Sequence, residues 1–248
     1  MGREKVHDSI KHTLKNLQRD ISVLDVDEIV SITINQMRED FRSSREKRYL
    51  ECPKTCALFE HEYDLHLADE QWKKTADDVE KCLRNFYSSE IFFTLKEIPL
   101  QNWLEVEDFS FFYLDERKIW AVIDCSFRTD DGITIIDWKT GRGTSKNVSL
   151  QLSCYAMYGM EKWKLEPERI KLIEYNLFSD QGVEFNVTEG EITNTKTYIR
   201  GSMADMESLL LDVENNVPKE EKLFKKIERE RICERCNFIK VCEPGSPE

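Results

Sequence analysis

The sequence lacks any apolar run approaching the length of a membrane span, and its opening, MGREKVHDSIKH, is polar. Neither a signal peptide nor an anchor is expected, and the chain reads as cytoplasmic with no membrane partner. Surplus positive charge is also missing: the net charge is −12 over 248 residues, which argues against a general nucleic-acid coat protein. Net charge governs solubility and steering, however, and does not decide what one cleft binds. No internal repeat and no low-complexity linker interrupts the chain.

What is present suffices for a globular core, since 40% of the residues are hydrophobic. Two segments run against the acidic average, Arg42 to Arg48 (RSSREKR) and Lys222 to Lys240 (KLFKKIERERICERCNFIK). Interleaved glutamates make solvated faces an equal reading of both. Of the eight cysteines, Cys82, Cys125 and Cys154 sit singly in periodic apolar segments and read as core residues. Cys233, Cys236 and Cys242 do not, and in a cytoplasmic chain a disulfide framework is not the expected use of them.

Apolar periodicity predicts helices first. Val6, Ile10, Leu14 and Leu17 share one helical face with His7 at its edge. Asp25 and Glu28 make a capping-box pattern before a helix carrying Ile29, Thr33, Met37 and Phe41 inward. A third helix spans about 69–86, with Trp72, Ala76, Val79, Leu83 and Phe86 in register. From Asn102 the period becomes two: 103–114, 118–124 and 132–139 read as strands of an antiparallel meander, with an Asp-Gly turn at Asp131-Gly132. A helix over 148–163, strands over 170–178 and 183–187, and a long helix over 189–214 complete the pattern. The expected organisation is an N-terminal helical region (1–95), an α/β core (96–217) and a basic, cysteine-rich tail (218–248), integrated in one domain.

The chemistry concentrates between Lys118 and Tyr155. Asp124 and Asp137 end apolar runs on strands joined by one hairpin, and a half-buried carboxylate costs several kcal/mol, roughly 2 or more, unless a cation or donor meets it. Alternation places Asp137 and Lys139 on one face with Trp138 opposite. Two carboxylates and an ammonium on one face suit magnesium or manganese held by oxygen ligands. Such a site can hydrolyse a phosphodiester, with the lysine beside a metal-bound water. Gln151 and Tyr155, four apart, share a face of the next helix, where they contact the substrate backbone or hold Lys139.

These residues, Asp124, then Asp137-Trp138-Lys139, then Gln151-x-x-x-Tyr155, resemble the PD-(D/E)XK nuclease superfamily, and within it the RecB-like branch that includes CRISPR-associated and AddB-type iron-sulfur nucleases. The resemblance implies a restriction-endonuclease-like fold with a mixed sheet flanked by helices. It implies that Asp124, Asp137 and the Trp138 carbonyl bind the metal, that Lys139 is catalytic, and that Gln151 and Tyr155 are auxiliary. It also implies a histidine on an early helix in the metal shell, preceded by a glycine; Gly2 and His7 fit, with the glycine one residue farther away than is usual. His12, His61 and His66 are weaker candidates.

Cys233-x-x-Cys236-x5-Cys242 has spacing suited to zinc or an iron-sulfur cluster. The resemblance implies a structural [4Fe-4S] cluster with a fourth cysteine upstream of the motif-one histidine. No cysteine precedes His7 here, so Cys52 or Cys56 is the candidate substitute. The implied activity is a metal-dependent DNA nuclease, a single-strand or end-directed exonuclease with endonuclease activity beside it. Its setting would be repair, recombination or CRISPR adaptation, with a helicase or adaptation proteins as partners. A catalytically weak nucleic-acid-binding protein of the same fold, and a zinc-stabilised interaction module, are the alternatives.

Overall fold

The computed structural model describes residues 1–65, 69–143, 147–225 and 230–242. His66 and part of the second basic segment lie outside them. Two compact units are present, one formed by Met1–Arg42 and Leu67–Lys196, the other by Ser43–His66 and Thr197–Glu248.

The first unit opens with α1 (Gly2–Gln18) and α2 (Val26–Arg45). Val6, Ile10 and Leu14 bury one face of α1, while Ile29, Thr33 and Met37 do so for α2. The capping box forms as the sequence predicts: Glu28 N–H donates to Asp25 Oδ1 at 2.8 Å and Asp25 N–H to Glu28 Oε2 at 3.1 Å. In the second unit α3 (Phe59–Glu62) is a single turn. Helices α4 (Asp69–Ser88) and α5 (Glu90–Lys96) follow in the first unit. Helix α1 packs closely on α4, since a Cβ added at Gly2 would lie 3.1 Å from Thr75 and 3.2 Å from Val79.

The expected three-strand meander is four strands in two sheets. Strands β1 (Asp108–Leu114) and β2 (Arg117–Ile123) form an antiparallel pair, and β3 (Cys125–Thr129) and β4 (Gly132–Lys139) begin a four-stranded sheet of order β3-β4-β5-β6. β5 (Ile170–Asn176) runs parallel to β4, and β6 (Gln181–Phe185) antiparallel to β5. The sheet is therefore mixed, as expected. The chain crosses from one sheet to the other at two places, one within the segment 103–114 expected as a single strand and one at the end of the strand expected over 118–124. In the first, Trp103 bridges Phe127 at the β3 edge, then the chain turns through Glu107, in left-handed backbone at φ 52°, to enter β1. In the second, the strand expected over 118–124 gives way at Asp124, just after β2, and β3, which was not expected, begins at Cys125 in the other sheet.

Residues Ile133 to Trp138 of β4 are buried on both faces, the pattern of a central strand with cover on each side. α6 (Leu150–Trp163), capped by Ser149 Oγ accepting from Leu152 N–H at 3.2 Å, connects β4 to β5 and packs on β1, β2 and β5. At the β3-β4 turn a Cβ on Gly132 would lie 2.0 Å from the Arg169 carbonyl oxygen, so only glycine fits there.

The long helix expected over 189–214 is shorter. α7 (Glu189–Glu207) gives way to a small hairpin of β7 (Leu210–Asp212) and β8 (Val217–Pro218). Asp212 accepts hydrogen bonds from the Asn215 backbone and side chain, and Asn216 adopts φ 52°. That local turn outcompetes one more helical turn, as Asx side chains do. The tail carries two single turns, α8 (Glu230–Cys233) and α9 (Ile239–Cys242). Among the described residues no helix is long and apolar enough to cross a membrane.

Candidate metal centre and its lysine

The two breaks in the strand ribbon lie opposite each other. β1 and β2 pair Asp108 with Ile123, and Glu107 N–H donates to the Ile123 carbonyl at 2.7 Å, so Glu107 stands across from Asp124. Both bend residues are carboxylic acids. Helix α1 is fastened to the same bend by Lys15 Nζ on Asp108 Oδ1 (2.8 Å) and by Gln18 Nε2 donating to the Leu104 carbonyl (3.0 Å). One helical face thus buries Val6 and Ile10 while its edge delivers His7 to the acids.

His7 Nδ1 lies 3.7 Å from Glu107 Oε1 and 3.7 Å from Asp124 Oδ2. These separations are too long for hydrogen bonds and short enough for ligands sharing one cation. Ligand atoms of His7, Glu107 and Asp124 all fall within 4.8 Å of one another, and among the described residues they are the one such group. His7 Nε2 is buried without a hydrogen-bond partner. This donor set, one imidazole and two carboxylates, of which Asp124 is buried and the other two half-buried, fits a divalent cation.

Asp124 is also held by the backbone, since Trp138 N–H donates to its Oδ2 at 2.7 Å. The Trp138 ring turns into the core against Phe86 and Tyr175. Asp137, 1% exposed, forms an ion pair with Lys139 Nζ. Lys139 in turn donates to Gln151 Oε1 at 2.8 Å; Gln151 Nε2 donates to Tyr155 Oη at 2.7 Å, and Tyr155 Oη donates to the Val122 carbonyl at 2.6 Å. A carbonyl that can only accept fixes the tyrosine proton, the tyrosine fixes the amide, and the amide presents its oxygen to the ammonium. Gln151 and Tyr155 thus hold Lys139.

The electrostatics follow from burial. Asp124 is pushed up to about 7, first by desolvation and then by the Asp137 charge, with His7 and the Trp138 N–H offsetting only part. Asp137 is raised by the same desolvation, with Lys139 opposing. Burial lowers the His7 imidazole, but Glu107 and Asp124 outweigh it and the net shift is upward. Burial raises Tyr155 far above its ordinary value, so it stays a neutral hydroxyl. A cleft of about 290 Å³ opens beside Lys139, lined also by Arg3, Thr140, Gly141, Gly143 and Glu174. Asn176 Nδ2 pins its rim by donating to the carbonyls of Gly141 (2.7 Å) and Gly143 (2.9 Å).

Glu107 was missed by sequence reasoning. It stands in the acid-rich EVED run before β1, and that run, against an otherwise apolar strand, was the available signal. His12 lies beside Asn16 and is not part of this group, and His61, in the second unit, bonds Ser44.

The candidate cluster ligands, Cys52, Cys56, Cys233, Cys236 and Cys242, belong to the second unit. Cys236 N–H donates to the Cys233 carbonyl at 3.0 Å, and Phe238 N–H donates to Cys236 Sγ at 3.4 Å, a loop that turns amides toward sulfur. Tyr63 Oη donates to the Asn237 carbonyl at 2.7 Å and Lys240 Nζ to Glu62 Oε1 at 2.7 Å, tying the tail to the segment that follows Cys52 and Cys56. Among the described residues, no three of these sulfurs come within 4.8 Å of one another.

A mixed sheet with carboxylates and a lysine at the end of its central strand, beneath a helix bearing the auxiliary pair, defines a nuclease-type core. The chain belongs to the PD-(D/E)XK nuclease superfamily, whose sequence profile matches residues 6–243, nearly its whole length. No curated protein and no solved structure gives a match. Membership makes metal-dependent phosphodiester hydrolysis the activity class and nucleic acid the substrate class.

The shifted acids carry a pH signature. An unfolded aspartate titrates near 4 and folded Asp124 near 7. Between those values the folded state binds more protons, so metal-free stability falls as pH rises through that window. His7 acts with the same sign: its raised value stabilises below the unfolded imidazole value and that contribution is lost as pH rises past the folded one. The metal-free protein is expected to melt lower at pH 8 than at pH 5, and manganese to raise the melting point far more at pH 8, by roughly 5–10 °C at a hundredfold excess over Kd. Equal increments at both pH values in thermal scans would contradict this.

Proposed function

We propose that the protein is a magnesium- or manganese-dependent deoxyribonuclease of the RecB-like branch, acting on single strands or ends as an exonuclease, with endonuclease activity beside it. The observation that carries the reading is the meeting, at one bend, of the His7, Glu107 and Asp124 group with the Asp137–Lys139 pair. His7, Glu107, Asp124, Asp137 and the Trp138 carbonyl are the proposed ligands. A divalent ion held by these residues would supply the Lewis-acid chemistry, lowering the pKa of a water and screening phosphate charge.

The side chains do the rest. Lys139, clamped by Gln151 and through it by Tyr155, orients the nucleophile and supports charge on the phosphoryl oxygens as it builds. Arg3, on the cleft wall, meets a backbone phosphate. The resemblance to the branch supports a role in repair, recombination or CRISPR adaptation beside a helicase or adaptation proteins. It also supports a structural [4Fe-4S] cluster, with zinc as the other candidate, on Cys233, Cys236 and Cys242 and on Cys52 or Cys56. The Phe238 amide is directed at the Cys236 sulfur, as amides beside the ligands are in thiolate sites.

Lys139→Ala and Asp137→Ala are expected to cut labelled DNA at least about a hundredfold more slowly than the parent in magnesium or manganese, with melting points near the parent's. Parental rates in both would remove the site assignment. For the tail, anaerobically purified protein is expected to be brown and to contain iron and acid-labile sulfide; stoichiometric zinc with no visible absorbance would replace the cluster by a zinc knot.

A further inference from the structure

The β1-β2 ribbon has two unlike faces. Phe112, Leu114, Ala121 and Ile123 are buried on one. The register places Phe109, Phe111, Tyr113, Lys118 and Trp120 together on the other. An antiparallel pair with one wet face ordinarily carries polar side chains there, yet Phe109 is 74% and Trp120 53% exposed. The rings are organised. Phe109 stacks on Trp120 with centroids 4.6 Å apart at 27°, and Phe111 meets Trp120 and Tyr113 edge-on at 5.4 and 5.5 Å. The Lys118 ammonium stands 4.3 Å from the Phe111 centroid and 5.0 Å from that of Trp120. A contiguous exposed aromatic patch marks an interaction surface.

We propose that this face is a stacking platform for the unpaired bases of single-stranded DNA approaching the metal centre, an inference that rests on the deoxyribonuclease reading above. Flat rings accept any base face, and a lysine among them supplies charge for the adjoining phosphates. The platform is continuous with the site: Phe109 lies two residues from Glu107 and Trp120 four from Asp124, about 7 and 14 Å along a strand. A second copy of the chain is a poorer occupant. Among the paired residues of this face the one charged side chain is Lys118, so a self-complementary contact would bring two ammoniums into one buried patch.

The test uses full-length Lys139→Ala protein, which keeps DNA intact, and fluorescence anisotropy with a labelled oligothymidylate and a blunt duplex. Adding Phe109→Ala and Trp120→Ala is expected to weaken oligothymidylate binding about tenfold or more and duplex binding less than twofold. Phe109→Leu with Trp120→Leu, which keeps apolar bulk without rings, is expected to do the same, and Trp120→Phe alone to retain most of the affinity. Unchanged oligothymidylate binding in the leucine variant, at a parental melting point, overturns the platform while leaving the nuclease reading intact. So does a parental dimer that these substitutions dissociate without altering DNA affinity. A parent that neither binds nor cuts DNA overturns the nuclease reading, and the platform with it.

Discussion

The structure turns on two aspartates held out of water at adjoining strand ends. Asp124 and Asp137 lie where solvent screens them poorly, and desolvation is the largest cause lifting both above the ordinary carboxylate range, with the Asp137 charge adding to the rise at Asp124. One backbone amide, from Trp138, and one ammonium, from Lys139, are the neutralising groups the core itself supplies. Burying such a pair is tolerable only if further positive charge arrives. In the metal-free protein His7, its affinity for a proton raised by Glu107 and Asp124, would bring part of it; a divalent cation bound there, with His7 as a neutral ligand, would bring the whole.

Much of the surrounding fold serves that arrangement. The ribbon bends so that Glu107 and Asp124 face one another, and the bend holds Glu107 in left-handed backbone, which costs a non-glycine residue about 1–2 kcal/mol. Lys15 and Gln18 fasten α1 to the bend and fix where His7 stands. On the other side α6 aligns Gln151 and Tyr155 by its four-residue repeat, and their hydrogen bonds end on the Val122 carbonyl, two residues before Asp124. The lysine clamp and the acid bend therefore share one strand, and a shift in either is felt by the other.

Local rules made much of this readable in the sequence. The helical faces of α1, α2 and α4 follow from apolar spacing, the start of α2 from its capping box, and the β3-β4 hairpin from Asp-Gly. Asp124, Asp137, Lys139, Gln151 and Tyr155 stood out as candidates by residue type and order, and the structure brings Asp137, Lys139, Gln151 and Tyr155 into one chain of contacts. The bend was legible on one side only: Asp124 ends its apolar run, whereas the strand expected over 103–114 runs straight through Glu107, where the residues on each side still suit strands. Glu107 becomes a candidate ligand only through pairing across the ribbon, a contact that spacing along the chain does not encode. The end of α7 was misread because Leu209, Leu210 and Leu211 extend a helical pattern that the Asp212–Asn215 turn overrides. The fourth partner of the cysteine tail is likewise a question of long-range placement.

The central claim is that His7, Glu107 and Asp124 hold one divalent cation. Calorimetric titration of manganese into the parent and into Glu107→Gln at pH 8 tests it directly, because Glu107 was identified from the geometry alone. The account predicts one site in the parent and at least about tenfold weaker binding in the variant, with the fold retained. Parental affinity in Glu107→Gln would contradict it.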